Sequence, residues 1–300
     1  MDGSTLTSSE HAALKALSRR SDRRGLVQFG WHLLLIGGTT ALVVLAGGGP
    51  WLVPALLVQG IAVVFLFCAA HEAIHRTAFR TRALNDAVAW IAGLAILLPP
   101  AHFRAFHLAH HRHTQDPARD PELTEPRPDS LGAYLLHLTG LAYWRGQIAA
   151  LLRHASGRVE EAYVTRQERH KVVREARLFL GIYAGVAGLS FWAVSTLALT
   201  FWLVPVLLGQ PVLRAFLLAE HHGCPDSRDM MLNSRTTESN AVLRRLAWNM
   251  PFHGAHHAYP ALPFFALPAA QEILSARPWT RASGYLAFHR QLVAGYLGRR

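Results

Sequence analysis

The chain has 300 residues, of which 51% are hydrophobic and only 16% charged, against roughly 25% charged in an ordinary soluble domain. Lys and Arg outnumber Asp and Glu by 30 to 19, yet most basic residues lie between long apolar stretches (Arg19, Arg20, Arg23, Arg24, Arg76, Arg80, Arg82 and Arg104 among them), where the positive-inside rule puts them, so no nucleic-acid partner is needed. Two cysteines, Cys68 and Cys224, exclude a disulfide framework and a four-cysteine iron–sulfur cluster.

Residues 1–24 are polar and read as a cytosolic tail, helical from about Ser9, without the apolar core of a cleavable signal peptide. No Asp, Glu, Lys or Arg occurs from Gly25 to His71 or from Leu178 to Leu213. A membrane span needs about 20 apolar residues, so each stretch predicts a helical hairpin. The first has spans at about Val27–Ala46 and Trp51–Ala70, turned by Gly47, Gly48, Gly49 and Pro50. The second has spans at about Leu178–Val194 and Leu197–Leu218, with a weakly marked turn. Neither turn carries Lys or Arg, so the termini and the central loop are expected on the cytoplasmic side.

Ala87–Pro100 is too short to cross and ends in two prolines, which suits an interfacial or re-entrant segment. Leu131–Leu152 contains His137 and Arg145 and predicts an amphipathic surface helix. Asp116–Asp129 is a proline-rich loop. The expected class is all-α: an integral, multi-pass membrane protein with four transmembrane helices in two hairpins and a cytoplasmic helical cap. Residues 25–275 would form this domain, and residues 276–300 a cytosolic C-terminal tail.

The chain contains 18 histidines, and half fall into four clusters. His71 and His75 stand in HEAIH; His107, His110 and His111 in HLAHH; His221 after Glu220 in AEHHGCP; His253, His256 and His257 in HGAHH. On a helix, residues at i, i+3 and i+4 share a face, so the H-x-x-x-H pair and each H-x-x-H-H triplet can turn two imidazoles toward one ion. Nine imidazoles are too many for one metal and suit two. Neutral imidazole serves Fe, Zn, Cu and Ni, so nitrogen ligation alone does not name the metal. His71 and His75 follow the second span and His221 follows the fourth, so all clusters are expected at one membrane face. That placement requires Ala87–Pro100 not to cross. His11, His32, His137, His154, His170 and His289 read as ordinary hydrogen-bonded side chains. His102, His113 and His222 adjoin the clusters and suit supporting contacts.

Two readings from other classes remain. HEAIH matches the H-E-x-x-H of zinc metalloproteases, with Glu72 as general base, but this leaves most clustered histidines unexplained. A metal transporter would carry its ligands near the bilayer middle on broken helices, whereas the first two spans carry only His32 and the third none.

The ordered boxes H-x-x-x-H, H-x-x-H-H, E-H and H-x-x-H-H resemble those of the membrane fatty acid desaturase superfamily, which includes acyl desaturases, alkane hydroxylases and carotenoid oxygenases. The resemblance runs from about Trp51 to Pro268 and extends through HRTAF, HHRHTQDPARDPEL, AEHHGCP and WNMPFHGAHHAYPALPFFALP. It implies a four-span fold with a cytoplasmic cap, two irons held by the nine histidines, O2 as co-substrate, and a separate electron donor of ferredoxin, rubredoxin or cytochrome type. By position, Asn249 would hold a metal-bound water or a supporting contact, and Glu220, His222 and Asp120 would also support the ligands. Ala255 stands where many members carry Glu, and His222 where relatives often carry Thr. No H-P-G-G motif marks a fused cytochrome domain. The implied activity is desaturation of an acyl chain or similar lipid at an unactivated C–H bond; hydroxylation of a lipid, alkane or carotenoid is the alternative on the same scaffold. Phe65, Phe67, Trp90, Phe103 and Phe106 lie in segments that can line a substrate tunnel or simply pack. The arginines at 153, 158, 166, 169, 174 and 177 suit an acidic donor or anionic lipid headgroups equally.

Overall fold

The computed structural model describes residues 6–298, which are mostly helical. Helix α1 (Ser8–Leu17) opens with a capping box between Thr7 and Glu10. Helix α2 (Asp22–Ala46) begins at the Ser21 cap and ends at Gly47, whose φ of +52° places it in the left-handed region. Helices α3 (Leu52–Val64) and α4 (Leu66–His75) form one apolar rod of 24 residues with a hitch at Phe65. Helices α5 (Arg82–Ala95) and α6 (Pro100–His113) meet at 100°. Pro99 and Pro100 cannot continue the α5 hydrogen-bond ladder, and Pro100 is well placed to start a new helix.

The expected surface helix over Leu131–Leu152 is two helices, α7 (Leu131–Thr139) and α8 (Leu141–Ala155), broken at Gly140 with φ +70°. Gly140 is pressed against Gln210: a Cβ there would lie 2.6 Å from Gln210 Cγ. Helix α9 (Arg166–Trp192) runs for 27 residues from a second capping box, Thr165 with Glu168. Helix α10 (Val204–His221) follows a wide turn at Leu199–Leu203 and contains Pro211. The remaining elements are short: α11 (Met230–Asn233), α12 (Ala241–Leu246), α13 (His253–Ala258), α14 (Leu267–Ile273) and α15 (Tyr285–Leu297). Strand β1 (Arg235–Thr237) pairs in parallel with β2 (Thr280–Ala282), Arg235 opposite Thr280. Residues expected as a C-terminal tail thus supply a strand and a helix, and Phe288 and Tyr296 of α15 pack with Tyr134, Leu218 and Ala219.

Among the described residues, three helical segments are long and apolar enough to cross a membrane: Asp22–Ala46, Leu52–His75 and Leu199–His221. The bent α5–α6 pair would make four if taken as one span. The segment expected as the third span, Leu178–Val194, is mainly the second half of α9. The first half of that helix carries Arg166, Glu168, Arg169, Lys171, Arg174, Glu175 and Arg177, so the helix as a whole is not among the three. Its far end is apolar and open: Phe191 is 88% exposed and Val194, just beyond it, 92%.

Helices α3 and α10 touch backbone to backbone. A Cβ on Gly60 would lie 2.0 Å from the Pro205 carbonyl oxygen, and one on Gly209 would lie 2.3 Å from the Gly60 carbonyl carbon. Small residues let apolar helices approach this closely. Several buried polar groups inside the bundle are paired. Thr39 donates to Gln59 Oε1, and His32 sits between the Ala62 carbonyl at 2.8 Å and the Trp248 indole N–H at 3.2 Å. One continuous core joins α3, α4, α5 and α10 to the segment from Ala247 to Leu274.

Candidate metal centre

Four pieces of chain converge at the ends of these helices. The α3–α4 rod delivers His71 and His75, one turn apart, and Arg76 with φ +62° ends it there. The bend before α6 lays that helix across the rod and brings in His107, His110 and His111. Glu175 of α9, itself buried, fixes the start of α6 by accepting the Ala101 N–H at 2.6 Å, the favourable place for a carboxylate on a helix. Helix α10 ends at His221, and α13 presents His253, His256 and His257.

The rings form two groups. Ligand atoms of His71, His75, His107, His111 and His256 all lie within 4.8 Å of one another, and so do those of His110, His221 and His257. His253 adjoins the second group, its Nε2 2.9 Å from His221 Nε2. Stacking of His111 on His257, with centroids 4.1 Å apart, joins the two. All nine histidines singled out in the sequence are therefore together.

The chemistry of the contacts tests whether metal fits. His107 Nε2 faces His111 Nε2 at 2.9 Å, His256 Nε2 faces His111 Nε2 at 3.1 Å, and His110 Nε2 faces His221 Nε2 at 3.1 Å. Only one imidazole of such a pair can donate. Both nitrogens of His71, Nε2 of His75 and Nε2 of His257 have no partner among the described residues although buried. Buried polar nitrogens are rarely left so. Nitrogens converging without hydrogen-bond partners are what a cation satisfies. Burial first, then the surrounding imidazoles, holds His253, His256 and His257 well below the ordinary histidine range. They are neutral at pH 7, the form that ligates metal.

A layer of acceptors orients the rings. His110 Nδ1–H donates to Asp120 at 2.9 Å. The Asp120 carboxylate also accepts the backbone N–H groups of Gln115 and Glu122. Burial opposes its ionisation, but these hydrogen bonds outweigh burial and keep it below the ordinary carboxylate value. His221 Nδ1–H donates to the Asn233 carbonyl at 3.2 Å, and the Gln115 amide donates to the carbonyls of His221 and Asn233. Thr114 Oγ1 lies 3.3 Å from His257 Nδ1, and Glu220 lies 3.4 Å from His253 Nδ1. Glu72 is fully buried, with one oxygen 4.0 Å from Nδ1 of both His71 and His256 and the other held by Thr77 and the Phe264 N–H.

Two expected supporting residues are placed differently. The Asn249 amide donates to the Phe264 carbonyl at 3.1 Å, and its φ is +59°, so this side chain serves the turn before α13. His222 turns toward Tyr296 and Phe288 of α15. Glu72, Thr114, Gln115 and Asn233 were not singled out as supporting contacts. Only Glu72 gave a signal, by its place between His71 and His75. His154 and His102 form a third group with Glu161. That carboxylate is already engaged by His154 at 2.8 Å and by Arg153, and His102 by the Tyr163 hydroxyl, so no cation is needed to explain the group.

A cavity of about 940 Å³ reaches the centre at His71, His107, His221 and His253. Phe67, Phe103 and Phe106 line it. Phe65 and Trp90 instead pack on Phe216 and Phe179.

The sequence pattern of the fatty acid desaturase family matches residues 48–289. The chain belongs to this family. Similar proteins include the sn-1 oleoyl-lipid 12-desaturase of Picosynechococcus, 24% identical over 79% of this chain and 74% of that one. The dihydrorhizobitoxine desaturase of Bradyrhizobium elkanii is 26% identical over 76% of this chain and 69% of its own. The Delta(12) fatty acid desaturase of Mortierella isabellina is 24% identical over 70% and 64%. The protein is a fatty acid desaturase-like oxidoreductase, and membership of this family sets aside the protease and transporter readings.

Proposed function

We propose that the nine histidines hold two irons, with which this oxidoreductase uses O2 to introduce a double bond into an acyl chain or similar lipid. The observation that carries this reading is the convergence of nine imidazoles, seven of them buried and several with unpartnered nitrogens, where three apolar helices open on a phenylalanine-walled cavity. The names of two relatives, an oleoyl-lipid desaturase and a fatty acid desaturase, support a lipid substrate.

Iron bound at the centre supplies the redox chemistry that activates O2 and removes hydrogen from carbon. The overall reaction takes two hydrogens from the substrate and two electrons with two protons from outside, and returns a double bond and two waters. The protein's own part is positional. Asp120 and Asn233 fix ring orientation by hydrogen bonds, and the Glu220 and Glu72 carboxylates stand beside His253 and beside His71 and His256. Phe67, Phe103 and Phe106 give an apolar approach to the rings and limit water there. Placement of the substrate carbon decides between a double bond and an alcohol, since small displacements at a reacting centre change rates steeply.

In this reading the apolar half of α9 supplies the remaining span of a four-span fold, and α5–α6 enters and returns. The centre, the cap and both termini face the cytoplasm, following the basic residues. Electrons come from a ferredoxin, rubredoxin or cytochrome-type donor. The test is metal content of detergent-purified protein expressed with iron, followed by lipid product analysis. Close to two irons per chain with little zinc is expected; one zinc and no iron would sink the proposal.

A further inference from the structure

Arg214 is the one basic residue in the apolar helical segment Leu199–His221. It stands seven residues before His221 on α10, two turns earlier on the same face, or about 10 Å along the axis. A charge inside such a helix is costly and marks function. Its guanidinium rests on the Tyr143 ring, 4.2 Å from the centroid, and its Nε has no hydrogen-bond partner among the described residues. Glu122, Glu125 and Glu220 act on it through space, but among the described residues none forms an ion pair with Arg214.

The wall around Arg214 repeats the deficit. Gln210, one turn earlier on α10, is 2% exposed, and its Nε2 has no partner. Gly140 presses on Gln210, and Trp144, one turn along α8 from Gly140, has a buried indole N–H without a partner. Arg214 and Tyr143 line the same cavity as His221 and His253. These three unpartnered buried groups are all donors; of the three residues Arg214 lines the cavity, and its guanidinium fork matches a carboxylate.

We infer that Arg214, backed by Gln210 and Trp144, binds a carboxylate carried by the substrate. This rests on the proposed C–H oxidation at the histidine centre. It narrows the substrate to a molecule that carries a carboxylate at Arg214 while its reacting carbon reaches the histidine centre.

The test measures binding without turnover. Iron-loaded protein in neutral detergent is titrated calorimetrically with hexanoate and with 1-hexanol. Hexanoate is expected to bind and hexanol to bind at least tenfold more weakly. Arg214→Gln should weaken hexanoate at least tenfold, and Arg214→Lys, which keeps charge without the fork, by less. Equal affinity of wild type for the two probes overturns the inference, and this comparison needs no variant to fold. So does unchanged hexanoate affinity in a folded Arg214→Gln protein. The titration is repeated in nanodiscs of phosphatidylcholine and of phosphatidylglycerol. Loss of hexanoate binding only in phosphatidylglycerol assigns the site to a lipid headgroup and overturns the substrate role. Hexanoate binding in both supports it. Bound hexanoate in a protein that holds no iron would count against the iron proposal and leave the anion site standing.

Discussion

The Asp120 carboxylate accepts a hydrogen bond from Nδ1–H of His110 at 2.9 Å, which leaves Nε2 of that ring facing His221 Nε2 at 3.1 Å. One hydrogen bond thereby sets the tautomer of a proposed ligand. Loss of such a partner typically costs about 10–100-fold in metal affinity. Asp120→Asn should lower iron retention by that order in a chelator titration with helical content unchanged. Wild-type retention would show that the carboxylate does not set the ring.

The proposed ligands and the isolated histidines make opposite predictions. His71→Ala, His110→Ala and His257→Ala should each abolish turnover and lower bound iron. His289→Ala should do neither, because its ring is used between the Tyr134 hydroxyl and the Ala215 carbonyl, each 3.1 Å away. Elemental analysis beside a turnover assay separates the two sets, and an active His110→Ala protein would break the assignment.

His32 is a third kind. Its removal leaves the Trp248 indole N–H buried without an acceptor, a loss of about 1–3 kcal/mol. His32→Ala should lower Tm while iron per chain stays at the wild-type value. A fall in iron without a fall in Tm would contradict a purely structural role.

Gly60→Ala and Gly209→Ala should each destabilise by about 1–3 kcal/mol or more, since the added carbon collides with backbone rather than with a movable side chain. Gly181→Ala is the control: nothing lies within 4 Å of a Cβ there, and alanine favours the helix. Denaturation midpoints should separate the pair from the control; three equal midpoints would mean that α3 and α10 do not pack this closely.

Helix α1 is tied down by an ion pair. Arg277 Nη2 lies 2.9 Å from Glu10, and this contact, then the Thr7 N–H, holds the Glu10 carboxyl at about 2. A lowered value stabilises the docked helix above the ordinary carboxylate value of about 4.5, and that contribution is lost as pH falls toward 2. Glu10→Gln should therefore lower Tm at pH 7, with the difference shrinking below pH 4.5. A gap that is constant with pH would point to packing instead of charge.

The histidine boxes were legible because their chemistry is local: three or four residues of spacing on a helix define a face. The apolar stretches and the break at Pro99 and Pro100 were legible for a similar reason, since charge, length and prolines are read directly. The ring-orienting layer was mostly not. Gln115 reaches the carbonyls of His221 and Asn233, 106 and 118 residues away, and no pattern along the chain announces such a contact. The length of α9 was hidden because charge marks where a helix leaves lipid, not where it ends. The break at Gly140 is set by Gln210 on another helix, and Asn249 is claimed by a turn that only the folded chain contains.

The two outermost boxes lie 186 residues apart, from His71 to His257. Closing a loop of that size is slow relative to forming helices, and ribosomal synthesis runs at about 5–20 residues per second. The first box thus waits on the order of ten seconds or more before the last can reach it. If the nine rings hold metal as proposed, its delivery is a late step in the life of the nascent chain, and an ion arriving early meets only an incomplete set of rings. Whatever supplies it would then act on a bundle already held by the Gly60–Gly209 contact.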